Sequence, residues 1–249
     1  RLIDVCRPPS NCGEGSIVRK LTAAVAGMIF TTATLATALP AGAAATKTLA
    51  LWNMNEAAKS TVLQDSSGHG INGTIGAHVV SNGSYENFPY VPGGDGGIVD
   101  AQHLDLVNNS QLNPGTRDYA ITFRLKFTLA LGNPMQKGQT GTPGGFFKVQ
   151  LDGGGGKILC SFVSPTGSAS VWSSNTINNG AWHVVTCTRT ATQVSVTVDG
   201  VVVGKIAHAT GNISNTWPLA FGGKSKCDQV KTFCDYFTGQ IDYVQIMTS

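Results

Sequence analysis

The stretch Gly180-Ala-Trp-His-Val-Val-Thr-Cys-Thr-Arg189, continuing as TATQVSVTVDGVVVG to Gly204, decides the fold class. Residues 182–190, 193–198 and 201–206 are each rich in β-branched side chains at strand length. The last two segments meet at Asp199-Gly200. Both residue types tolerate positive φ, as a two-residue hairpin turn requires. The same stretch holds Trp182-His183 and Cys187, so it poses a second question, whether His183 is chemical or structural.

Working outward, residues 119–127 alternate cleanly. Tyr119, Ile121, Phe123, Leu125 and Phe127 face one way, and Thr122, Arg124 and Lys126 the other. Residues 146–151 and 157–163 read as a hairpin around the flexible Asp152-Gly-Gly-Gly-Gly156, and residues 49–54 as an apolar opening strand. The closing strand, 237–247, is expected to put Ile241, Tyr243 and Gln245 on one face and Asp242, Val244 and Ile246 on the other. No amphipathic helix follows residue 45. One-sided strands must cover their apolar faces with a second sheet, so the expected architecture is an all-β, two-sheet antiparallel β-sandwich. Residues 46–249 contain no linker-like run and no internal repeat, and are read as one domain.

The N-terminal part reads differently. Arg19-Lys20 precedes LTAAVAGMIFTTATLATALPAGAAA, a basic head, an apolar run and small residues suited to signal peptidase. Residues 18–45 are therefore expected to be a signal peptide and the protein to be secreted, with residues 1–17 an upstream extension. Thr31, Thr32, Thr34, Pro40 and Gly42 leave no run of about 18 apolar residues for a membrane span. Without residues 1–45 the chain carries 13 basic and 12 acidic side chains, a net of +1. That balance gives no electrostatic footprint for nucleic acid or anionic lipid.

Four cysteines follow the leader, Cys160, Cys187, Cys227 and Cys234, and an even number in an exported chain implies disulfides. Cys227 and Cys234 bracket the short DQVKTF and are expected to pair, leaving Cys160 and Cys187 to join two strands. Zinc is the rival reading, but no Cys-x₂-Cys spacing or paired histidines support it.

A set of motifs, each weak alone, occurs in one order: Leu51-Trp-Asn-Met-Asn-Glu56, Asp65-Ser-Ser-Gly-His-Gly70 with Asn72-Gly-Thr74, Leu112-Asn-Pro-Gly-Thr-Arg-Asp118, Gly180-Ala-Trp-His183, Val198-Asp-Gly200, Gly222-Gly-Lys224 and Phe237-Thr-Gly-Gln-Ile-Asp-Tyr-Val244. Together they resemble the secreted bacterial laminin G-like domains of the concanavalin A-like lectin/glucanase superfamily. The resemblance implies a jelly-roll sandwich. It also implies a structural calcium ion, with Asp65 and Asp242 as the positions of best-matching context; hard oxygen donors on a Gly-bent loop suit Ca²⁺. The competing reading is that Asp65 accepts hydrogen bonds from its own turn. No other cofactor is expected.

The superfamily hosts enzymes, lectins and adhesive modules, so function rests on the site. Glycoside hydrolysis needs two carboxylates flanking the scissile bond. After the leader only Glu56 and Glu86 are glutamates, and neither lies in a Glu-x-Asp-x-x-Glu strand as in the glucanases the chain resembles. His183 has no nucleophile-elbow serine in the sequence, and Trp-His at a strand start is a structural landmark in the family resembled. His69, His78, His103 and His208 are scattered. Trp172, Trp217, Tyr85 and Tyr90 are the aromatics available as a sugar platform, but the same side chains suit the rim of a core, so no glycan site is assigned. The expected function is a secreted, non-catalytic module binding a polysaccharide or cell-wall glycan. The alternative is an adhesion or structural module with an extracellular protein partner, and glycoside hydrolysis is a distant third.

Overall fold

The computed structural model describes residues 45–91, 101–226 and 234–249. The expected leader at 18–45, all but its last residue, and the extension at 1–17 lie outside the described residues, as does Cys227. In chain order the strands are β1 (Lys47–Trp52), β2 (Val62–Leu63), β3 (Gly73–Thr74), β4 (Val80–Ser81), β5 (Glu86–Phe88), β6 (Asp105–Val107), β7 (Tyr119–Lys126) and β8 (Met135–Lys137). They continue as β9 (Phe146–Leu151), β10 (Ile158–Ser164), β11 (Gly167–Trp172), β12 (His183–Arg189), β13 (Val194–Val198), β14 (Val201–Ile206), β15 (Leu219–Phe221) and β16 (Gly239–Thr248).

These strands form two sheets. The first runs β14-β13-β12-β7-β16-β5-β4, with β1 also paired to β16; the second runs β11-β10-β9-β8-β15-β6-β3-β2. Every strand pair described is antiparallel, as expected of a jelly-roll sandwich. Alternation explains the layering. On β7 Ile121, Phe123 and Leu125 are buried between the sheets while Thr122, Arg124 and Lys126 stay half-exposed on the outer face. Trp52 fills the core edge-on to Phe221 at 5.4 Å, and its indole N–H donates to the Ile71 carbonyl at 2.9 Å. Truncating an aromatic so buried costs about 3–5 kcal/mol.

The Asp199-Gly200 hairpin forms as read: Asp199 has φ 49° and Gly200 φ 82°, and β13 pairs with β14. The closing strand departs from its reading. A bulge at Asp242 shifts the register, so that Ile241 faces Leu125 and Tyr243, not Asp242, faces Arg124. Ile241, Val244 and Ile246 are consequently buried, while Tyr243 and Gln245 look outward, so Ile241 and Tyr243 do not share a face.

Cys160 on β10 and Cys187 on β12 are bonded, with Cα atoms 5.5 Å apart. The strands they occupy belong to different sheets, so the bond staples the sandwich across its core. Closing a loop of this length restricts the unfolded chain by about 3–4 kcal/mol in the chain-entropy account. Cys234 is also held in a disulfide.

Candidate functional site

The outer face of the first sheet gathers one row of side chains from four strands. Asn87 on β5 lies across from Gln240 on β16, and Gln240 across from Lys126 on β7. The neighbour of Lys126, Leu125, pairs with His183 at the start of β12, which seats Trp182 beside Lys126. Tyr85, two residues before Asn87 and so on the same side of its strand, meets Trp182 edge to face at 5.6 Å and 61°. The Lys126 ammonium stands 5.0 Å from the Trp182 ring centre and 5.8 Å from that of Tyr85. Arg124 also lies over Trp182, at 4.7 Å, and its guanidinium is paired with the Asp242 carboxylate.

The row ends in a cleft of about 320 Å³ lined by Asn87, Tyr90, Lys126, Thr128, Thr238 and Gln240, with Phe88, Pro89, Phe127, Gly180 and Gly239 as walls. Among the described residues no Asp or Glu lines it. Tyr90 is 57% exposed. The side-chain oxygen of Gln240 is buried and accepts no hydrogen bond among the described residues. Gly180 takes φ 75° and donates its N–H to the Phe127 carbonyl at 3.1 Å, which turns the chain back at the cleft wall and delivers Trp182 to the row. An apolar, aromatic-rimmed hollow with a few unsatisfied polar groups is the usual form of a ligand site.

Trp182, read in the sequence as part of a structural Trp-His landmark, stands in this row. Of the aromatics considered in the sequence, Tyr85 and Tyr90 belong to this row and its cleft. Trp172 is 41% exposed on β11, an edge strand of the other sheet, and Trp217 lies under the Lys226 ammonium at 4.6 Å.

His183 is a clamp. Its Nδ1 is 2.7 Å from Asp199 Oδ2 and its Nε2 is 3.1 Å from Asn179 Oδ1, while the Val184 N–H donates to Asp199 Oδ1 at 2.8 Å. Burial opposes the Asp199 charge, but the bonds from His183 and Val184 hold its carboxyl below the usual value. Through Nδ1 the imidazole ties the β13–β14 turn to the start of β12, and through Nε2 it ties that start to the preceding Asn179.

Asp65 and Asp242 are not brought into one ligand set. Asp65 Oδ1 accepts the Leu51 and Ser67 N–H groups at 3.0 and 2.9 Å, and its Oδ2 accepts the Ser67 hydroxyl and the Ile71 N–H at 2.8 and 2.9 Å. Those four donors occupy the lone pairs that a cation would need. Asp242 is committed to Arg124. The arrangement does not fit calcium, which takes six to eight oxygens. Among the described residues no three His, Cys, Asp or Glu side chains are grouped to hold a metal.

Glu56, Glu86 and Asp105, remote in sequence, converge inside the sandwich. Glu86 and Asp105 are fully buried. Ser81 donates to Glu86 at 3.3 Å, Gly76 to Asp105 at 3.2 Å and Gln64 to Glu56 at 2.9 Å. The second oxygen of each carboxyl accepts no N–H and no alcohol hydroxyl among the described residues. Burial pushes Asp105 well up, and its hydrogen bond and charge contact with Glu86 lift it further. Burial also raises Glu86, with the Glu56 charge adding to the rise and the bond to Asp105 partly offsetting it.

The structure is similar to solved structures at low identity. The mouse laminin α1 chain, domains LG4-5, aligns over 53% of this chain and 36% of its own at 18% identity, with a TM-score of 0.44. The botulinum neurotoxin serotype C1 binding domain aligns over 81% of this chain and 48% of its own at 15% identity, with a TM-score of 0.54. The chain thus spans half or less of the length of both. Domain 4 of an extracellular arabinanase from Geobacillus stearothermophilus, solved in complex with arabinotriose, aligns over 82% of this chain and 94% of its own at 14% identity, with a TM-score of 0.52. No curated protein matches the sequence at a significant level. A family model described as the concanavalin A-like lectin/glucanases superfamily matches residues 95–249. That match covers more than half of the sequence, and with the two antiparallel sheets it makes the chain a laminin G-like member of the concanavalin A-like lectin/glucanase superfamily.

Proposed function

We propose that the protein is a secreted, non-catalytic binding module that takes a polysaccharide chain along the Tyr85–Trp182 row and into the adjoining cleft. The carrying observation is the aromatic pair set beside a cleft lined by the amides Asn87 and Gln240. Pyranose rings present C–H faces that lie against aromatic rings and hydroxyls that exchange hydrogen bonds with amide side chains. The arabinanase domain of the same fold was solved with a bound oligosaccharide, and the proposal extends that class of ligand to this chain.

Among the described residues no Asp or Glu lines the cleft, so none of them offers an acid or a base to a glycosidic bond there. The carboxyls with raised proton affinity, Glu86 and Asp105, are sealed inside the sandwich, where no sugar reaches them. Retention of the full chain on insoluble polysaccharides tests the reading. Trp182→Ala and Tyr90→Ala are each expected to weaken retention by about tenfold, as truncated aromatic anchors do. Unchanged retention in both variants, or none by the parent, overturns it.

A second reading, a protein partner, is favoured by one observation. Edge strand β14 exposes Val201 at 63%, Val202 at 49% and Ile206 at 40%. Capture of a protein abolished by Val202→Lys and indifferent to Trp182→Ala would support that reading.

A further inference from the structure

We infer that the sugar taken by this cleft carries a carboxylate, that is, that the ligand is a uronate-bearing polysaccharide; this rests on the reading of the cleft as a sugar site. The observation is the state of Lys126. The row has two cations, and they differ. Arg124 is neutralised by Asp242, whereas no carboxylate among the described residues lies within ion-pair distance of Lys126. Its ammonium is instead held between the faces of Trp182 at 5.0 Å and Tyr85 at 5.8 Å, at the point where the row opens into the cleft. Aromatic faces attract an ammonium through their quadrupole without cancelling its charge, and they exclude part of its water. A charge so placed acts through a lower effective dielectric than one on an open surface, which strengthens its pull on an anion.

The neighbouring groups set the shape of that anion's carrier. Among the described residues no acidic side chain in the cleft competes for Lys126. Gln240, directly across the strand pair from Lys126, and Asn87, one strand beyond, line the cleft and set amide side chains beside the ammonium. Exposed Tyr90 supplies an apolar face on the same cleft. A hexuronate unit presents these complements together: a carboxylate on one side of the ring, vicinal hydroxyls on the other and a C–H face between. A neutral hexose leaves the ammonium unanswered.

The test is calorimetric titration of the full chain, in 150 mM salt, with oligogalacturonate, with its methyl ester and with neutral arabinan and laminarin oligosaccharides. The acid is expected to bind about tenfold more tightly than the ester, and raising the salt concentration is expected to shrink that ratio. Lys126→Gln is expected to abolish the ratio and Lys126→Arg to keep it, with melting curves confirming that both variants fold. Equal binding of acid and ester overturns the inference while leaving a sugar site. Tighter binding of a sulfated galactan than of oligogalacturonate reassigns the anion to sulfate and likewise overturns it. Failure to bind any of the oligosaccharides overturns the sugar reading itself.

Discussion

Two buried acidic regions of this sandwich have opposite electrostatic character. Asp65 is 5% exposed, yet its carboxyl sits below the usual value. Asp105 is fully buried together with Glu86, and both sit above theirs. Burial pushes all three in the same direction, towards the neutral form. The difference lies in the donors. Asp65 is bent into a glycine-rich loop where the Leu51, Ser67 and Ile71 N–H groups and the Ser67 hydroxyl all point at it. Asp105 receives one backbone N–H, from Gly76, and otherwise meets another carboxyl. Surrounded by N–H groups, an inward aspartate has its charged form favoured; beside a second acid its neutral form is favoured. The comparison also separates structural from chemical readings of acidic residues in this fold, because neither region reaches the cleft.

The largest effect is expected at Asp65. Asp65→Ala leaves the Ile71, Leu51 and Ser67 N–H groups without their acceptor and is expected to cost about 3 kcal/mol or more in urea unfolding. A loss below about 1 kcal/mol would break the contrast at its charged end. Next is Glu86→Gln, which replaces one acid of the buried pair by a group of the same shape that donates to Asp105. At pH 7 this is expected to stabilise the protein by about 1 kcal/mol, and a clear loss would mean that the pair is not under electrostatic stress.

The pH dependence sharpens the same contrast. Asp65, with a lowered folded value, contributes stability that is present above its ordinary 3.8 and lost as pH falls through the folded value. Glu86 and Asp105, with raised folded values, contribute stability that is full below their ordinary 4.5 and 3.8 and lost as pH climbs through the folded values. Melting temperature is therefore expected to peak in mildly acidic buffer, and Glu86→Gln is expected to flatten the alkaline side of the peak. A monotonic rise to neutrality in the parent would contradict it. The smallest effect is expected from calcium: with Asp65 filled by donors, chelator and millimolar Ca²⁺ should each leave the melting temperature unmoved within about 1 °C. A calcium-induced rise that Asp65→Asn removes would show that the loop yields its oxygens to metal.

The sequence discloses these regions unevenly. The regular alternation of residues 119–127 and the turn chemistry of Asp199-Gly200 are local, so β7, β13 and β14 are legible without a structure. Strands of two or three residues, such as β2, β3 and β4, carry too few side chains to show a period. The bulge at Asp242 is invisible because it is defined by the partner strand: one residue more than β7 requires. The functional row has the same character. Tyr85 and Tyr90 are visible as aromatics in turns and Lys126 as an outward strand residue. Only the register of β5, β16, β7 and β12 sets Asn87, Gln240, Lys126 and Trp182 side by side. Glu56, Glu86 and Asp105 likewise meet through the closing of two sheets, which no local pattern encodes.

The position of the row has a consequence for how binding proceeds. Asn87, Gln240 and Lys126 are carried on paired strands, and Trp182 adjoins a fourth strand fixed by the His183–Asp199 clamp. Loops that recognise ligands commonly surrender conformational freedom on capture, and affinity falls by that amount. Here the ladder hydrogen bonds have already fixed the spacing of the recognising groups. Under the proposed function an incoming chain would meet a surface with little left to order, and the neighbouring loops would be free to vary in length without moving the contacts.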